Sequence, residues 1–238
     1  MKRTLRTGIL SALLLLPGAA QEPGITREQA EAILSELRQI RLLLERAMRP
    51  PEAAEGPRKA VLRITEDRWL GDKNAPLTLV EFTDYQCSFC RRFHVVTFPE
   101  LRKKYIETGK LRFASRDFPL EFHTSAFLAA EAARCAGDQG RYWEMRDLLV
   151  STGKLSKEDL AAHARQLKLD AREFDACLAT GKHRTAIQQD IVEATQLGIN
   201  GTPGFVIGRS TPAGVEGEIL LGAHPLAVFE EKLRHYQR

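Results

Sequence analysis

The sequence predicts an α/β protein in which a βαβ unit and a closing ββα unit are interrupted by an all-helical insertion and preceded by a separate helix. Three observations carry that prediction. Residues 77–82 (Leu-Thr-Leu-Val-Glu-Phe) are rich in the apolar and β-branched side chains that suit strands, and an amphipathic helical pattern follows close behind them. Residues 123–197 are helical throughout in their patterning. Strand character then returns at 204–208 and 218–222 before a last helix over 225–236.

At the N-terminus, Lys2, Arg3 and Arg6 precede an apolar run over 9–16 that Pro17-Gly18-Ala19-Ala20 closes with small residues. Residues 1–20 therefore read as a secretory signal, cleaved after Ala20 or kept as an anchor. The apolar core is shorter than the ~20 residues a membrane span requires. No cysteine follows the expected cleavage point, which argues against a lipoprotein anchor.

Residues 21–59 hold an amphipathic helix over 26–48 and a proline-rich linker. Thr26 followed by Gln29 is a capping-box pattern. Ala30, Ile33, Leu37, Ile40, Leu44 and Ala47 follow the spacing of a coiled-coil seam, suited to a homo-oligomer through residues 26–48. Leu34, Leu42 and Leu43 widen the stripe, which suits packing on a globular body equally well. Pro50, Pro51 and Pro57 deny the linker a regular hydrogen-bond ladder.

The α/β domain is expected over 60–122 and 198–238. An edge strand at 61–64 and a turn at 71–76 lead into the strand at 77–82. The helix running toward Leu101 and a strand over 111–118 complete a βαβ unit, which implies a parallel pair with a right-handed crossover. Within the insertion, helices fall at 125–136, 140–149, 157–166, 171–179 and 183–197, separated by Gly, Ser and Asp. Pro225 suits the first position of the last helix. This layout is that of a thioredoxin fold split by a helical domain.

With 238 residues, 43% hydrophobic and 28% charged, the chain is long enough to bury a core. Its net charge of +4 is interleaved with acids rather than clustered, so no nucleic-acid partner is expected. No cofactor motif stands out, and none is expected.

Chemistry concentrates at Cys87-Ser88-Phe89-Cys90, where strand gives way to helix. Thiols three positions apart across the first helical turn are close enough to bridge. Unpaired N–H groups and the macrodipole at a helix N-terminus favour a thiolate at Cys87, and such cysteines titrate at about 3.5–7.5. A thiolate is the nucleophile of disulfide exchange, so the motif reads as a redox dithiol. A structural bridge and half of a zinc site are the alternatives. Zinc is disfavoured because no second CxxC or HxxxH pair completes a tetrahedral set, and no metal is expected.

Four stretches, in this order, carry a resemblance: Val80-Glu81-Phe82-Thr83-Asp84-Tyr85-Gln86-Cys87-Ser88-Phe89-Cys90, Arg116-Asp117-Phe118-Pro119-Leu120, Ala132-Ala133-Arg134-Cys135-Ala136 and Gly198-Ile199-Asn200-Gly201-Thr202-Pro203. The chain resembles the DsbA family of secreted thiol–disulfide oxidoreductases, in its bacterial branch with a Glu-Phe-x-Asp-Tyr-x-Cys approach to the active site. Ser88 departs from the Pro that often follows the first cysteine there, which leaves the oxidising strength open. The resemblance implies Cys87 as attacking and Cys90 as resolving cysteine, with a cis Thr202–Pro203 bond facing them. It also makes Glu81 a buried acid that moves the proton of Cys90. Its implied function is exchange of a Cys87–Cys90 disulfide with folding secreted proteins, as an oxidase renewed by a membrane partner of DsbB type. An oligomeric isomerase or reductase is the alternative. The implied location is periplasmic or otherwise extracytoplasmic.

The remaining assignments come from the residues themselves. Glu81, an acid in an apolar run, is expected to be partly buried with a raised pKa. Ser88 and Phe89 are expected to supply the N–H groups facing Cys87. Asp84 and Tyr85 are expected to shape the turn and the surface rim, His94 to lie at the surface, and His123 to cap the insertion. Cys135 and Cys177 suggest a bridge between two helices, given export and an even cysteine count; two buried free thiols are the alternative.

Overall fold

The computed structural model describes residues 26–48, 58–64 and 69–237. The expected signal over 1–20 and most of the proline-rich linker lie outside the described residues. The chain divides into two units at Ala54/Glu55.

The first unit contains α1 (Arg27–Met48). Its start is a reciprocal cap: Gln29 N–H donates to Thr26 Oγ1 at 3.2 Å while Thr26 N–H donates to Gln29 Oε1 at 3.0 Å. Ile33, Leu34, Leu37 and Ile40 are exposed along it.

The second unit is built on one six-stranded sheet in the order β1-β6-β5-β3-β4-β2. Its strands are β1 (Lys59–Arg63), β2 (Trp69–Leu70), β3 (Leu77–Thr83), β4 (Leu111–Asp117), β5 (Gly204–Thr211) and β6 (Gly214–Leu221). β3 and β4 pair in parallel, with Glu81 opposite Ser115, and the other pairings are antiparallel. Every residue of β3 is buried because both faces of the central sheet are covered. Leu77 and Leu79 join Phe93, Phe98, Phe205 and Phe229 on one face, while Val80 and Phe82 join Ala194, Ile199 and Val206 on the other. The last helix, α9 (Leu226–Gln237), packs Phe229 and Leu233 into the first of these cores.

The helix after the CxxC is not regular. α2 (Ser88–Arg92) widens into a π turn over Phe93–Thr97, resumes as α3 (Phe98–Leu101), and widens again over Arg102–Ile106. Pro99 lies in the first turn of α3 and has no N–H for the preceding turn, which accounts for the first irregularity.

The insertion comprises α4 (Ala126–Gly137), α5 (Tyr142–Thr152), α6 (Lys157–Gln166), α7 (Ala171–Thr180) and α8 (Arg184–Gln196) around its own core of Ala129, Ala133, Met145, Leu149, Leu160 and Phe174. A buried charge network fastens it to the sheet. Arg134 of α4 contacts Asp117 of β4 and Asp190 of α8, both at 2.5 Å, and Arg116 reaches Asp190 at 3.2 Å. A disulfide, Cys135–Cys177, joins α4 to α7 with an S–S distance of 1.97 Å.

Candidate active site

β3 delivers the chain to the CxxC through a turn that Asp84 organises. Oδ1 of Asp84 accepts from the N–H groups of Gln86 (2.7 Å) and Cys87 (3.1 Å), while Oδ2 accepts from Leu120 N–H (2.8 Å) and lies 2.8 Å from His123 Nδ1. Asp84 is thus a buried hub rather than part of a surface rim, and Tyr85 is buried in the insertion core. His123 acts by bonding Asp84, not by capping: the residue that precedes α4 is Ser125, whose side chain makes no cap bond.

Cys87 occupies the N-cap position of α2 and Cys90 lies one turn into it. Both thiols are free. Cys87 is 6% exposed and Cys90 0%, so only the first is reachable from solvent. Across from them the Thr202–Pro203 bond is cis, and the Cys87 thiol donates to Thr202 O at 3.4 Å.

The two thiols differ sharply in acidity. A hydrogen bond from the Cys90 side chain, another at Thr202, and the backbone N–H groups of Cys90 and Phe89 together pull Cys87 down to about 5, against the opposing effect of burial. The N–H groups that hold the sulfur therefore belong to Phe89 and Cys90, one position further along than Ser88 and Phe89. Burial pushes Cys90 far up, reinforced by its bond to Cys87 and by the nearby charge of Glu81. Asp84 N–H points at the Cys90 sulfur at 3.5 Å.

Glu81 lies on β3 and is fully buried. Burial alone would raise its pKa, but the charges of His94 and Arg146 outweigh it and hold the group below the ordinary carboxylate value. The expected upward shift is thereby reversed. His94 is buried, not at the surface: Nε2 lies 2.9 Å and 3.0 Å from the two Glu81 oxygens. His94 lies one turn past the buried Cys90, on the same inward face of the helix, where Glu81 and Arg146 give the ring polar partners.

Arg146, from α5 of the insertion, is the third member and was not singled out from the sequence. It is 0% exposed, bonds Glu81 Oε2 at 2.5 Å, approaches His94 Nε2 at 2.6 Å and donates to Ser115 Oγ at 3.1 Å. His94 Nε2 either donates to Glu81 or accepts from Arg146, so the proton on His94 decides which bond is made. Burial, then the Arg146 charge, keep His94 below its ordinary pKa. Two exposed aromatic rings lie by these residues: Phe89 within the CxxC (59%) and Phe122 against His123 (74%).

A thioredoxin family model matches residues 64–213. Among solved structures, Wolbachia pipientis α-DsbA1 is 27% identical and superposes with a TM-score of 0.64 over 74% of this chain and 93% of its own. Bacillus subtilis BdbD, 21% identical with a TM-score of 0.60 over 71% of this chain and 91% of its own, shares the fold. In sequence, the chain is 35% identical over 171 residues to the Na(+)/H(+) antiporter NhaA 1 of Salinispora arenicola, covering 71% of this chain and 26% of the antiporter. It thus spans about a quarter of the length of that relative, and no helix among the described residues is long and apolar enough to cross a membrane. A probable disulfide bond formation protein D of Bacillus anthracis is 27% identical over 147 residues, 58% of this chain and 68% of that protein. Taken with a CxxC at a helix N-terminus facing a cis-proline, these likenesses show that the chain belongs to the thioredoxin family, among its DsbA-like thiol:disulfide oxidoreductases.

Proposed function

We propose that the protein is an exported oxidase that passes a Cys87–Cys90 disulfide to cysteines of folding secreted proteins. The observation that carries this reading is the asymmetry of the pair: Cys87 is held down to about 5 while Cys90 is pushed up. A stabilised Cys87 thiolate stabilises the reduced protein and so makes the disulfide oxidising.

In the first step a substrate thiolate attacks Cys87 Sγ, the Cys87–Cys90 bond breaks, and Cys90 leaves with the electron pair. Cys90 takes up the proton released by the attacking substrate thiol or by solvent, and Glu81, whose charge reaches Cys90, is the group that relays it. A second substrate thiolate then attacks the substrate sulfur of the mixed disulfide and expels Cys87, whose low pKa makes it a good leaving group. Thr202 and Pro203 line the approach, and Phe89 and Phe122 offer apolar contact to an unfolded chain. Renewal of the disulfide falls to a membrane redox partner of DsbB type, and export to the signal over 1–20.

Equilibration with glutathione tests the reading. A potential more oxidising than about −200 mV supports an oxidase, and a value near the thioredoxin range of about −270 mV overturns it in favour of a reductant. The exposed stripe of Ile33, Leu37 and Ile40 on α1 favours one alternative, an oligomeric isomerase joined through residues 26–48. Light scattering on the mature chain and on a chain starting at Ala60 separates the two, since only the former would be oligomeric.

A further inference from the structure

Outside the redox centre, chemistry-bearing side chains converge once more, around the Cys135–Cys177 bridge. Cys135 lies in the last turn of α4, Asp138 caps that helix, Cys177 lies in the last turn of α7, and His183 precedes α8. The two sulfurs and a His183 ring nitrogen lie within 4.8 Å of one another. Asp138 Oδ2 is 3.6 Å from Cys177 Sγ and 2.9 Å from His183 Nε2. Ligands at about 2.0–2.3 Å from one zinc ion stand at most about 4.6 Å apart, so the donors need only small adjustments to share an ion. A surface cleft lined by Cys135, Asp138, Gln139, Glu173, Cys177 and Lys182 gives access.

We propose that reduction of the Cys135–Cys177 bridge creates a zinc-class site whose ligands are Cys135, Cys177, His183 and Asp138. Two sulfurs, an imidazole and one carboxylate suit zinc and disfavour magnesium or calcium. Both sulfurs belong to the last turns of their helices, the macrodipole end that opposes bare thiolates and favours a cation. Two thiolates and a carboxylate exceed the charge of a divalent ion by one, and the Lys182 ammonium, 2.9 Å from Asp138 Oδ2, offsets the remainder. The donors come from α4 and its cap, from α7 and from the residue before α8, so no CxxC or HxxxH spacing announces them.

The chemistry balances with a low-molecular-weight thiol, RSH, as reductant. Two equivalents break the S–S bond; the electrons reduce both cysteine sulfurs, the two protons stay on them, and RSSR leaves. Binding of a divalent ion then forms two metal–sulfur bonds and releases those two protons. Bridge and metal use the same sulfurs, so each excludes the other and the site is gated by redox state.

The test uses the full chain carrying Cys87→Ser and Cys90→Ser, which removes the other thiol pair and makes the result independent of the oxidase reading. The protein is reduced with a phosphine, freed of reductant under anaerobic conditions and titrated with Co(II) alone. The expected result is one Co(II) per chain, with thiolate-to-cobalt charge transfer and the strong visible bands of a tetrahedral ion. The oxidised chain should show neither. His183→Ala, and separately Asp138→Asn, should weaken binding at least about tenfold, since even outer-shell partners of a metal are worth that much. Circular dichroism on each sample reports folding. Absence of the charge-transfer band, indifference of that band to His183→Ala, or a reduced chain that stays unfolded with cobalt overturns the proposal.

Discussion

The molecule places its two cysteine pairs at opposite ends of helices. Cys87 sits at the amino end of α2, where free N–H groups point at the sulfur, and it is held down to about 5. Cys135 and Cys177 sit in the final turns of α4 and α7, the negative end of the helix dipole, where a thiolate is disfavoured. Their neighbouring acids differ as well. Glu81, within charge range of Cys90, is sealed in the sheet with Arg146 and His94, while Asp138 beside Cys177 is partly exposed and paired with Lys182 and His183. The same element, a pair of sulfurs, is therefore poised to open in one place and to stay shut in the other, and backbone direction makes much of that difference.

The largest test of this contrast is Cys87→Ser, which should abolish catalysed oxidation of a reduced, unfolded substrate because no nucleophile remains. Cys90→Ala should instead hold substrate as a mixed disulfide visible on non-reducing gels. Equal turnover by Cys87→Ser and the parent would end the assignment of Cys87 as the exchanging sulfur.

Arg146→Met probes the acid beneath the first pair. Stripping the partner from a buried carboxylate should cost about 3–5 kcal/mol in urea unfolding at neutral pH. Glu81→Gln in the same chain should recover much of that loss, because the uncompensated charge is then gone. Additive effects of the two substitutions would show that the pair is not coupled.

Opening the second pair with Cys135→Ser and Cys177→Ser removes a cross-link over 42 residues. The chain-entropy estimate for a loop of that size is about 4 kcal/mol, an upper value. Unfolding curves should move by up to that amount while the Cys87–Cys90 potential stays in place. A shifted potential would mean that the two pairs communicate.

The smallest effect is a titration. Alkylation of reduced protein at Cys87 should rise with pH around a midpoint near 5. The sign for stability follows from a folded pKa below the unfolded value of about 8.5. Cys87 ionisation stabilises the reduced form fully above that value, progressively less below it, and not at all once pH falls through about 5. The advantage of the reduced over the oxidised protein in thermal melts should therefore shrink on acidification, and an advantage that grew would contradict the thiolate.

Local signals made much of the fold legible. The 157–166 segment is a helix with those bounds, opened by the Ser156–Asp159 capping box, and Thr26 with Gln29 begins α1. The strand–turn–helix around Cys87 is likewise a short-range pattern. What escaped depends on long-range or irregular features. β2 is two residues long and is held by Arg112, which lies over the Trp69 ring at 4.1 Å. β6 begins at Gly214, four residues before the expected strand, because Gly214 and Gly217 lack strand propensity. There Gly217 pairs with Gly208, where an added Cβ would meet Glu216 O at 2.2 Å, so close backbone approach excludes larger residues. His94 was expected at the surface because its partner Arg146, 52 residues away, could not be seen from the sequence. Arg146 reaches Glu81 across 65 residues, a separation that no window of periodicity spans.

That last contact bears on how such a protein can be cut and recombined. Arg146 and Arg134 both belong to the inserted helices, yet each neutralises a carboxylate on the sheet, Glu81 and Asp117. A chain spliced from residue 122 to residue 198 would keep the CxxC, the cis-proline loop and His94, but would take from Glu81 and Asp117 the arginines that neutralise them. The insertion thus supplies the sheet with countercharges, and a graft of it onto another redox scaffold must carry matching acids with it.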